Sequence, residues 1–148
     1  MTEGILNSIL WYALVVERGG AGVPQVALDL DACDYCRMIV SDARYIAAAT
    51  TASGRTVRFD SVECLASWAA TQEEPPRAMW VTDVASPGTL IPVHEAVFHR
   101  DSARRSPMGR GWQAGAAAAA PASAVTWEVL LTTVRAEMAQ PPAVLEQR

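Results

Sequence analysis

The sequence predicts a single domain of the α+β class, in which short strands and amphipathic helices share one core. Two strand-like segments separated by a glycine-bearing turn predict a hairpin, and two later segments carry apolar residues at helical spacing. The chain has 148 residues, of which 51% are hydrophobic and 19% are charged, so it can bury a core without disulfides. This length also leaves room for two small related units within the domain.

The N-terminal segment, residues 1–24, is interpreted as an apolar stretch followed by a glycine-rich connector. The run Ile5–Val16 is mostly apolar but, at twelve residues, too short to span a bilayer as a helix. No basic residue precedes it, and neither a small-residue cleavage site nor a lipid-bearing cysteine follows it. We therefore expect a packed helix or a membrane-touching one, or a chain that begins downstream of its natural export signal. The pattern favours the packed helix.

After the connector, the sequence predicts a half-buried strand and then a hairpin. Val26, Leu28 and Leu30 alternate with mostly polar residues, which is the period of a strand with one buried face. Residues 44–51 and 56–59 are the two strands of the hairpin, joined by a four-residue turn that contains a glycine.

A helix is predicted to follow the hairpin. The segment from Asp60 to Glu63 has the form of a capping box, with Asp60 as the N-cap and Glu63 reaching back to it. The apolar face of this helix consists of Val62, Leu65, Ala66 and Ala69. Residues 78–82 then form a short apolar strand, which completes a strand–strand–helix–strand unit.

The second half of the chain predicts two more strands and a second helix. Residues 89–93 and 96–100 are the strands, and the small residues at 113–122 are compatible with either a strand or a linker. The final helix has Thr126 as its N-cap, and we expect the tail from Pro141 to fray. The apolar face of this helix consists of Trp127, Leu130, Leu131, Val134 and Met138.

The stretch Cys33–Met38 holds two thiols and one thioether within six residues. That combination suits soft, monovalent copper better than ions that prefer carboxylate or imidazole ligands. Zinc would more often require a second Cys/His pair at similar spacing, which the sequence lacks. If the segment is extended, Cys36 and Met38 present both sulfurs on the same side. Nearby negative charge is expected to raise the pKa values of the thiols; the acidic residues are Asp29, Asp31 and Asp34.

Met108 is a further candidate ligand because it lies between a proline and a glycine. The proline fixes the backbone before it and the glycine permits an unusual conformation after it, so this is not a typical core position. Filling a gap in the core is the alternative role. Cys64, at the edge of the apolar face of the first helix, is expected to be structural. His94 and His99 are left out of the candidate set.

The composition limits the classes of function. A net charge of −4 does not favour non-specific nucleic-acid binding, and three cysteines cannot form a disulfide framework. A thiol oxidoreductase that uses Cys33 and Cys36 is one possibility, but no helix begins directly after this pair to stabilise a thiolate. A copper(I) carrier that performs no turnover also uses the methionines. We therefore expect a metal-binding protein and not an enzyme.

Several motifs taken together resemble one family. They are Cys-Asp-Tyr-Cys-Arg-Met at 33–38, Phe-Asp at 59–60, Trp-Val-Thr-Asp at 80–83, Glu-Ala-Val-Phe at 95–98 and Pro-Met-Gly-Arg-Gly at 107–111. In this order and spacing, over residues 32–131, they resemble the NosL proteins, the accessory proteins of nitrous-oxide reductase. The resemblance implies an α+β fold of two small ββαβ units, the second one shortened here, similar in topology to organomercurial lyase.

The resemblance also implies a function. NosL proteins are exported and usually lipid-anchored copper(I) chaperones, so the expected cargo is Cu(I) and the expected location is the periplasm or cell envelope. The expected partner is apo nitrous-oxide reductase, whose copper–sulfur centre these proteins support. Their Cys-x-Met and Met-Gly elements fall on Cys36, Met38 and Met108, and Cys33 is a further candidate ligand of the metal.

The resemblance places a copper-binding domain at residues 25–138, followed by a tail at residues 139–148. No lipobox is seen, although membrane association is expected of the family. A thiol enzyme similar to the lyase is a further alternative, by analogy with the related fold. Such an enzyme needs an acid–base carboxylate between cysteines, and Cys64 or Asp34 would have to serve in that site. Another metal-trafficking thiol protein of the cell envelope is the remaining alternative.

Overall fold

A computed structural model of the protein describes residues 22–140. The apolar run at residues 5–16 and the tail from Pro141 lie outside the described residues. The described part confirms the α+β class, with six strands in two antiparallel sheets and two α-helices. Neither of these helices is long and apolar enough to cross a membrane.

The larger sheet has four antiparallel strands in the order β2-β1-β3-β4. These strands are β1 (Ala47–Thr50), β2 (Thr56–Phe59), β3 (Ala78–Thr82) and β4 (Leu90–Pro92). The predicted hairpin is confirmed, because β1 pairs with β2 and places Ala47 opposite Phe59. Gly54 in its turn has a φ angle of 92°, which only glycine adopts without strain. Strand β2 lies at one edge of the sheet.

Helix α1 (Val62–Ala70) follows the hairpin as predicted, but its N-cap is Ser61. The Ser61 hydroxyl accepts a hydrogen bond from the Cys64 amide at 3.1 Å. The prediction of Asp60 as N-cap and Glu63 as its capping-box partner is therefore wrong, because both carboxyl groups face other parts of the protein. Every residue from Val62 to Ala69 is buried, so the helix is enclosed on all sides.

The two strands predicted on either side of His94 belong to different sheets. Strand β4 pairs with β3 and extends the larger sheet. Strand β5 (Ala96–Arg100) pairs instead with β6 (Trp112–Ala116) in a two-stranded antiparallel sheet. The stretch of small residues that starts at Gln113 therefore begins as a strand. The second half of the described chain thus contributes one strand to the larger sheet and forms a separate two-stranded sheet.

Helix α2 (Trp127–Ala139) is confirmed together with its N-cap. The Thr126 hydroxyl accepts a hydrogen bond from the Val129 amide at 3.5 Å. Of the predicted apolar face, the buried residues are Trp127, Leu130 and Val134, whereas Met138 is exposed. This face packs against α1 and β5, so the core lies between the two helices and the two sheets.

The predicted strand at residues 25–31 is wrong. Asp29 has a φ angle of 61°, and the Asp31 carboxylate accepts a hydrogen bond from the amide four residues earlier at 2.7 Å. Such local side-chain bonds compete with strand pairing and turn the chain. Leu28 and Leu30, expected to be half buried, are 40% and 80% exposed.

The cysteine stretch lies at the tip of an irregular hairpin, residues 29–40, which we call the cysteine hairpin. The Val40 amide donates to the Asp31 carbonyl at 2.9 Å. Nearer the tip, Ala32 and Ile39 face each other in an isolated antiparallel bridge. The hairpin brings the two ends of the stretch together in space.

Candidate metal centre

Four side chains converge where the cysteine hairpin meets the start of α1. They belong to Cys33, Cys36, Asp60 and Cys64, and their sulfur and carboxyl oxygen atoms all lie within 4.8 Å of one another. All three cysteines are free thiols. We call these four residues the thiol cluster. Three sulfurs and one carboxyl oxygen at this separation are a donor set that can hold a metal ion.

A tight turn at the tip of the hairpin sets the positions of the first two thiols. The Cys33 amide donates to the Met38 carbonyl at 2.8 Å, and the Arg37 amide donates to the Cys33 carbonyl at 3.0 Å. Arg37 has a φ angle of 68°, in the left-handed region. Because this residue lies between Cys36 and Met38, the segment is not extended. The expected i, i+2 arrangement of the two sulfurs on a strand is therefore wrong.

Arg58, on the edge strand β2, holds the cysteine hairpin against the larger sheet. The Arg58 amide donates to the Asp34 carboxylate, and the Asp34 amide donates to the Arg58 carbonyl, both at 2.8 Å. The Arg58 guanidinium also lies 3.2 Å from the Asp31 carboxylate. Two of the three acidic residues near the thiols are thus hydrogen bonded or ion paired, which offsets the negative charge that the sequence indicated.

The start of α1 supplies the other two members of the thiol cluster. The Cys36 thiol donates a hydrogen bond to the Asp60 carboxyl group, with 3.3 Å between sulfur and oxygen. Cys64 is 1% exposed, in agreement with its predicted burial, but its sulfur belongs to the cluster. The sequence analysis missed this role. Its only local signal is the spacing of Asp60 and Cys64, four residues apart at the start of a helix.

Hydrogen bonds lower the pKa of the Cys33 thiol to about 6. The largest cause is the Cys64 thiol, which donates to the Cys33 sulfur, and the backbone amides of Cys36, Asp60 and Tyr35 act in the same direction. Burial opposes them, since it disfavours the charged form. The expectation that acidic neighbours would raise this pKa is wrong, because the hydrogen bonds from these donors outweigh burial and lower it.

The pKa values of the other two thiols are shifted in the opposite direction, upward. Burial raises the pKa of Cys36 to about 11, and the contacts of this thiol with Cys33 and Asp60 add to the effect. The pKa of Cys64 is raised well above its usual range, first by its hydrogen bond to Cys33 and then by burial. Near neutral pH the cluster therefore holds one thiolate, at Cys33, and two thiols that donate hydrogen bonds to their neighbours.

Both candidate thioethers reach the surface. Met38 is 49% exposed and Met108 is 37% exposed. Met108 lies in a turn closed by a 2.7 Å hydrogen bond from the Gly109 amide to the Ser106 carbonyl. Gly109 has a φ angle of 76°, which is the unusual conformation that the sequence indicated. The structure thus brings Cys33 and Cys36 together inside the protein and leaves both methionines accessible from outside.

The family model described as NosL matches residues 25–126, which is most of the chain. The crystal structure of the copper chaperone NosL from Shewanella denitrificans is similar, with 18% sequence identity and a TM-score of 0.49 over 63% of this chain and 80% of that chain. No curated protein matches the sequence. The extent of the family match is decisive: the chain belongs to the NosL family.

Proposed function

We propose that the protein is a copper(I) carrier that performs no turnover and delivers copper for the assembly of the copper–sulfur centre of nitrous-oxide reductase. The observation that carries this proposal is the thiol cluster, in which three free thiols lie within 4.8 Å of one another. Cu(I) prefers soft thiolate and thioether ligands. A NosL protein with such a cluster is therefore best explained as a metal carrier.

In this proposal Cys36, Met38, Met108 and Cys33 bind the copper ion. Cys33 is fully buried and already a thiolate near neutral pH, so it offers a soft anionic ligand at the inner side of the site. Cys36 is only partly buried, and the two thioethers are exposed. Copper would enter and leave through these accessible residues. A carrier needs such an open side, because its cargo must be passed on.

Family membership supports a proposal for the recipient and the location. Apo nitrous-oxide reductase is the proposed partner, and the periplasm or cell envelope is the proposed location. The test is direct transfer: the copper-loaded protein is mixed with apo nitrous-oxide reductase, separated from it, and the copper content of each is measured. Copper that stays on the carrier, while a free copper(I) chelator complex does load the enzyme, would contradict the proposed partner.

The preference for copper is tested by competition. The apoprotein is reconstituted anaerobically with Cu(I) and, separately, with Zn²⁺, and the bound metal is counted and its affinity measured. We expect one copper(I) per chain and tighter binding of copper than of zinc. His94→Ala is the control, since His94 is exposed and outside the thiol cluster. Equal or tighter binding of zinc would contradict the proposal.

A thiol oxidoreductase is the second candidate, and the low pKa of Cys33 favours it. The burial of Cys33 argues against it, because an attacking thiolate must reach its disulfide substrate and this side chain is 0% exposed. The rate at which the reduced protein cleaves a small aromatic disulfide distinguishes the two. A rate above that of free thiols at equal concentration, lost in Cys33→Ser, would favour the oxidoreductase.

A further inference from the structure

Glu63 is a buried acidic residue that the sequence analysis assigned to helix capping. It is 2% exposed and lies in the first turn of α1, directly before Cys64. Its Oε1 accepts hydrogen bonds from the Ser106 hydroxyl at 2.5 Å and from the Trp112 amide at 3.2 Å. Its Oε2 is buried and makes no hydrogen bond to the described residues. A carboxyl group is costly to bury, so its partners indicate its purpose.

Both partners of Glu63 flank the turn that carries Met108. Ser106 opens this turn, and its hydroxyl also accepts a hydrogen bond from the Gly111 amide at 3.1 Å. Trp112 is the first residue of β6. The Glu63 carboxyl group therefore holds both ends of the segment between Ser106 and Trp112. We call residues 106–112 the methionine segment.

The methionine segment is further constrained at Gly111. This residue has a φ angle of 76°, and a Cβ atom added there would lie 2.6 Å from the Asp101 carbonyl oxygen. The Gly111 carbonyl also accepts a hydrogen bond from the Asp101 amide at 3.0 Å. The end of the segment is thus packed closely against the backbone of Asp101, and Met108 belongs to a turn of defined conformation.

We infer that Glu63 is a positioning residue that holds the Met108 thioether in place for the copper ion. The inference rests on the proposed function and on Met108 as a ligand. Asp60 and Cys64 of the thiol cluster lie just before and within the first turn of α1, and Glu63 between them is hydrogen bonded to both ends of the methionine segment. The same turn therefore fixes the thiols and the thioether relative to each other. Mutation of a residue that orients a metal ligand commonly weakens metal binding by about 10- to 100-fold.

The test is a double-mutant cycle on copper(I) affinity, measured by chelator competition with Glu63→Ala, Met108→Ala and the double variant. We expect each single variant to bind copper about 10- to 100-fold more weakly, and the double variant to bind no more weakly than Met108→Ala alone. Sulfur ligands counted by X-ray absorption at the copper edge should fall by one in all three. Glu63→Gln, which keeps an acceptor oxygen, should restore most of the affinity.

Leu130→Ala is the matched control, because Leu130 is a fully buried residue of α2 that is not among the proposed copper ligands. It should lower stability without changing copper affinity. If Glu63→Ala does not fold, Ser106→Ala replaces it in the cycle, since it removes the same hydrogen bond.

Two results would overturn the inference. Additive losses in the double variant would show that Glu63 does not act through Met108, and an unchanged affinity in Glu63→Ala or in Met108→Ala would show that no positioned thioether binds. Copper carriage by the thiols is tested separately. It is supported if Cys36→Ser abolishes copper binding and contradicted if Cys36→Ser leaves binding unchanged.

Discussion

The Cys36 thiol donates a hydrogen bond to the Asp60 carboxyl group across 3.3 Å, and this bond joins the cysteine hairpin to the start of α1. A copper ion that binds Cys36 must displace the proton in this bond. Asp60 therefore influences how readily the site takes up metal, whether or not it is a ligand.

Replacing Asp60 by asparagine is expected to lower the pKa of Cys36. Burial raises this pKa to about 11, and the contact with Asp60 contributes in the same direction. The alkylation rate of Cys36 in the apoprotein, followed by mass spectrometry across pH, should therefore rise at lower pH in Asp60→Asn. Asp34→Asn is the control, since Asp34 bonds to the Arg58 amide instead. An unchanged or higher midpoint would contradict the assignment of this contact.

A second prediction concerns the roles of the individual sulfurs. Cys36→Ser should abolish tight copper(I) binding, and Met38→Ala and Met108→Ala should each weaken it. Cys64→Ser should leave affinity unchanged, because a serine hydroxyl can still donate a hydrogen bond to the Cys33 sulfur, and it should lower stability only. Copper(I) affinities of the four variants decide the matter. Loss of copper in Cys64→Ser without loss in Met108→Ala would show that the ligands lie deeper in the thiol cluster.

The pH dependence of copper affinity should count the thiols that bind. Each thiol that loses its proton on binding adds roughly one unit of log affinity per pH unit, whereas a thiolate or thioether adds nothing. Cys33, with a pKa of about 6, is already a thiolate between about pH 7 and 8.5, while Cys36, with a pKa of about 11, is still protonated. We expect a slope near one in that range if Cys36 alone among the protonated thiols binds.

Below about pH 6 the Cys33 thiol is protonated too, so the slope should rise toward two if Cys33 is also a ligand. Affinities from chelator competition, corrected for protonation of the chelator, give both slopes. A slope that stays near one at low pH would exclude Cys33. A slope near two above pH 7 would show that Cys64 binds copper in addition to Cys36. A copper affinity that does not change with pH over the whole range would exclude all three thiols as ligands.

The apoprotein is expected to be folded, so the metal is cargo and not a structural staple. Tyr45, Phe59, Leu65, Phe98 and Leu130 are fully buried, and together they supply a core for the described domain. Leu130→Ala should cost about 2–5 kcal/mol of unfolding free energy, through the cavity that it leaves. Urea unfolding of the apoprotein, followed by circular dichroism, measures this cost. A near-random spectrum of the wild-type apoprotein would refute the prediction.

Elements with strong local signals were predictable from the sequence. The hairpin around Gly54 and the Thr126 cap follow from turn and capping preferences, which act within a few residues. The choice between Asp60 and Ser61 as N-cap was not predictable, because both are good caps. It depends on Cys36, whose thiol engages the Asp60 carboxyl group.

The candidate site was predictable in part for the same reason. Cys33 and Cys36 are close in sequence, and their spacing was informative. Cys64 joins them only through the packing of α1 against the cysteine hairpin, for which the sequence gives no local signal beyond the four-residue spacing of Asp60 and Cys64. The alternation of Leu28 and Leu30 was misleading, because an Asp31 side-chain bond turns the chain there and both leucines face solvent.

The thiol cluster is built from two pieces of chain, a hairpin tip and a helix start, that lie 24 residues apart from Cys36 to Asp60. Before folding, the two pieces are separate, and bringing them together costs loop-closure entropy. The complete donor set therefore exists only after the sheet, α1 and the hairpin have assembled. Folding therefore sets when the site is complete: an unfolded chain offers the cysteine pair of the hairpin alone, and Asp60 and Cys64 join it only in the native state.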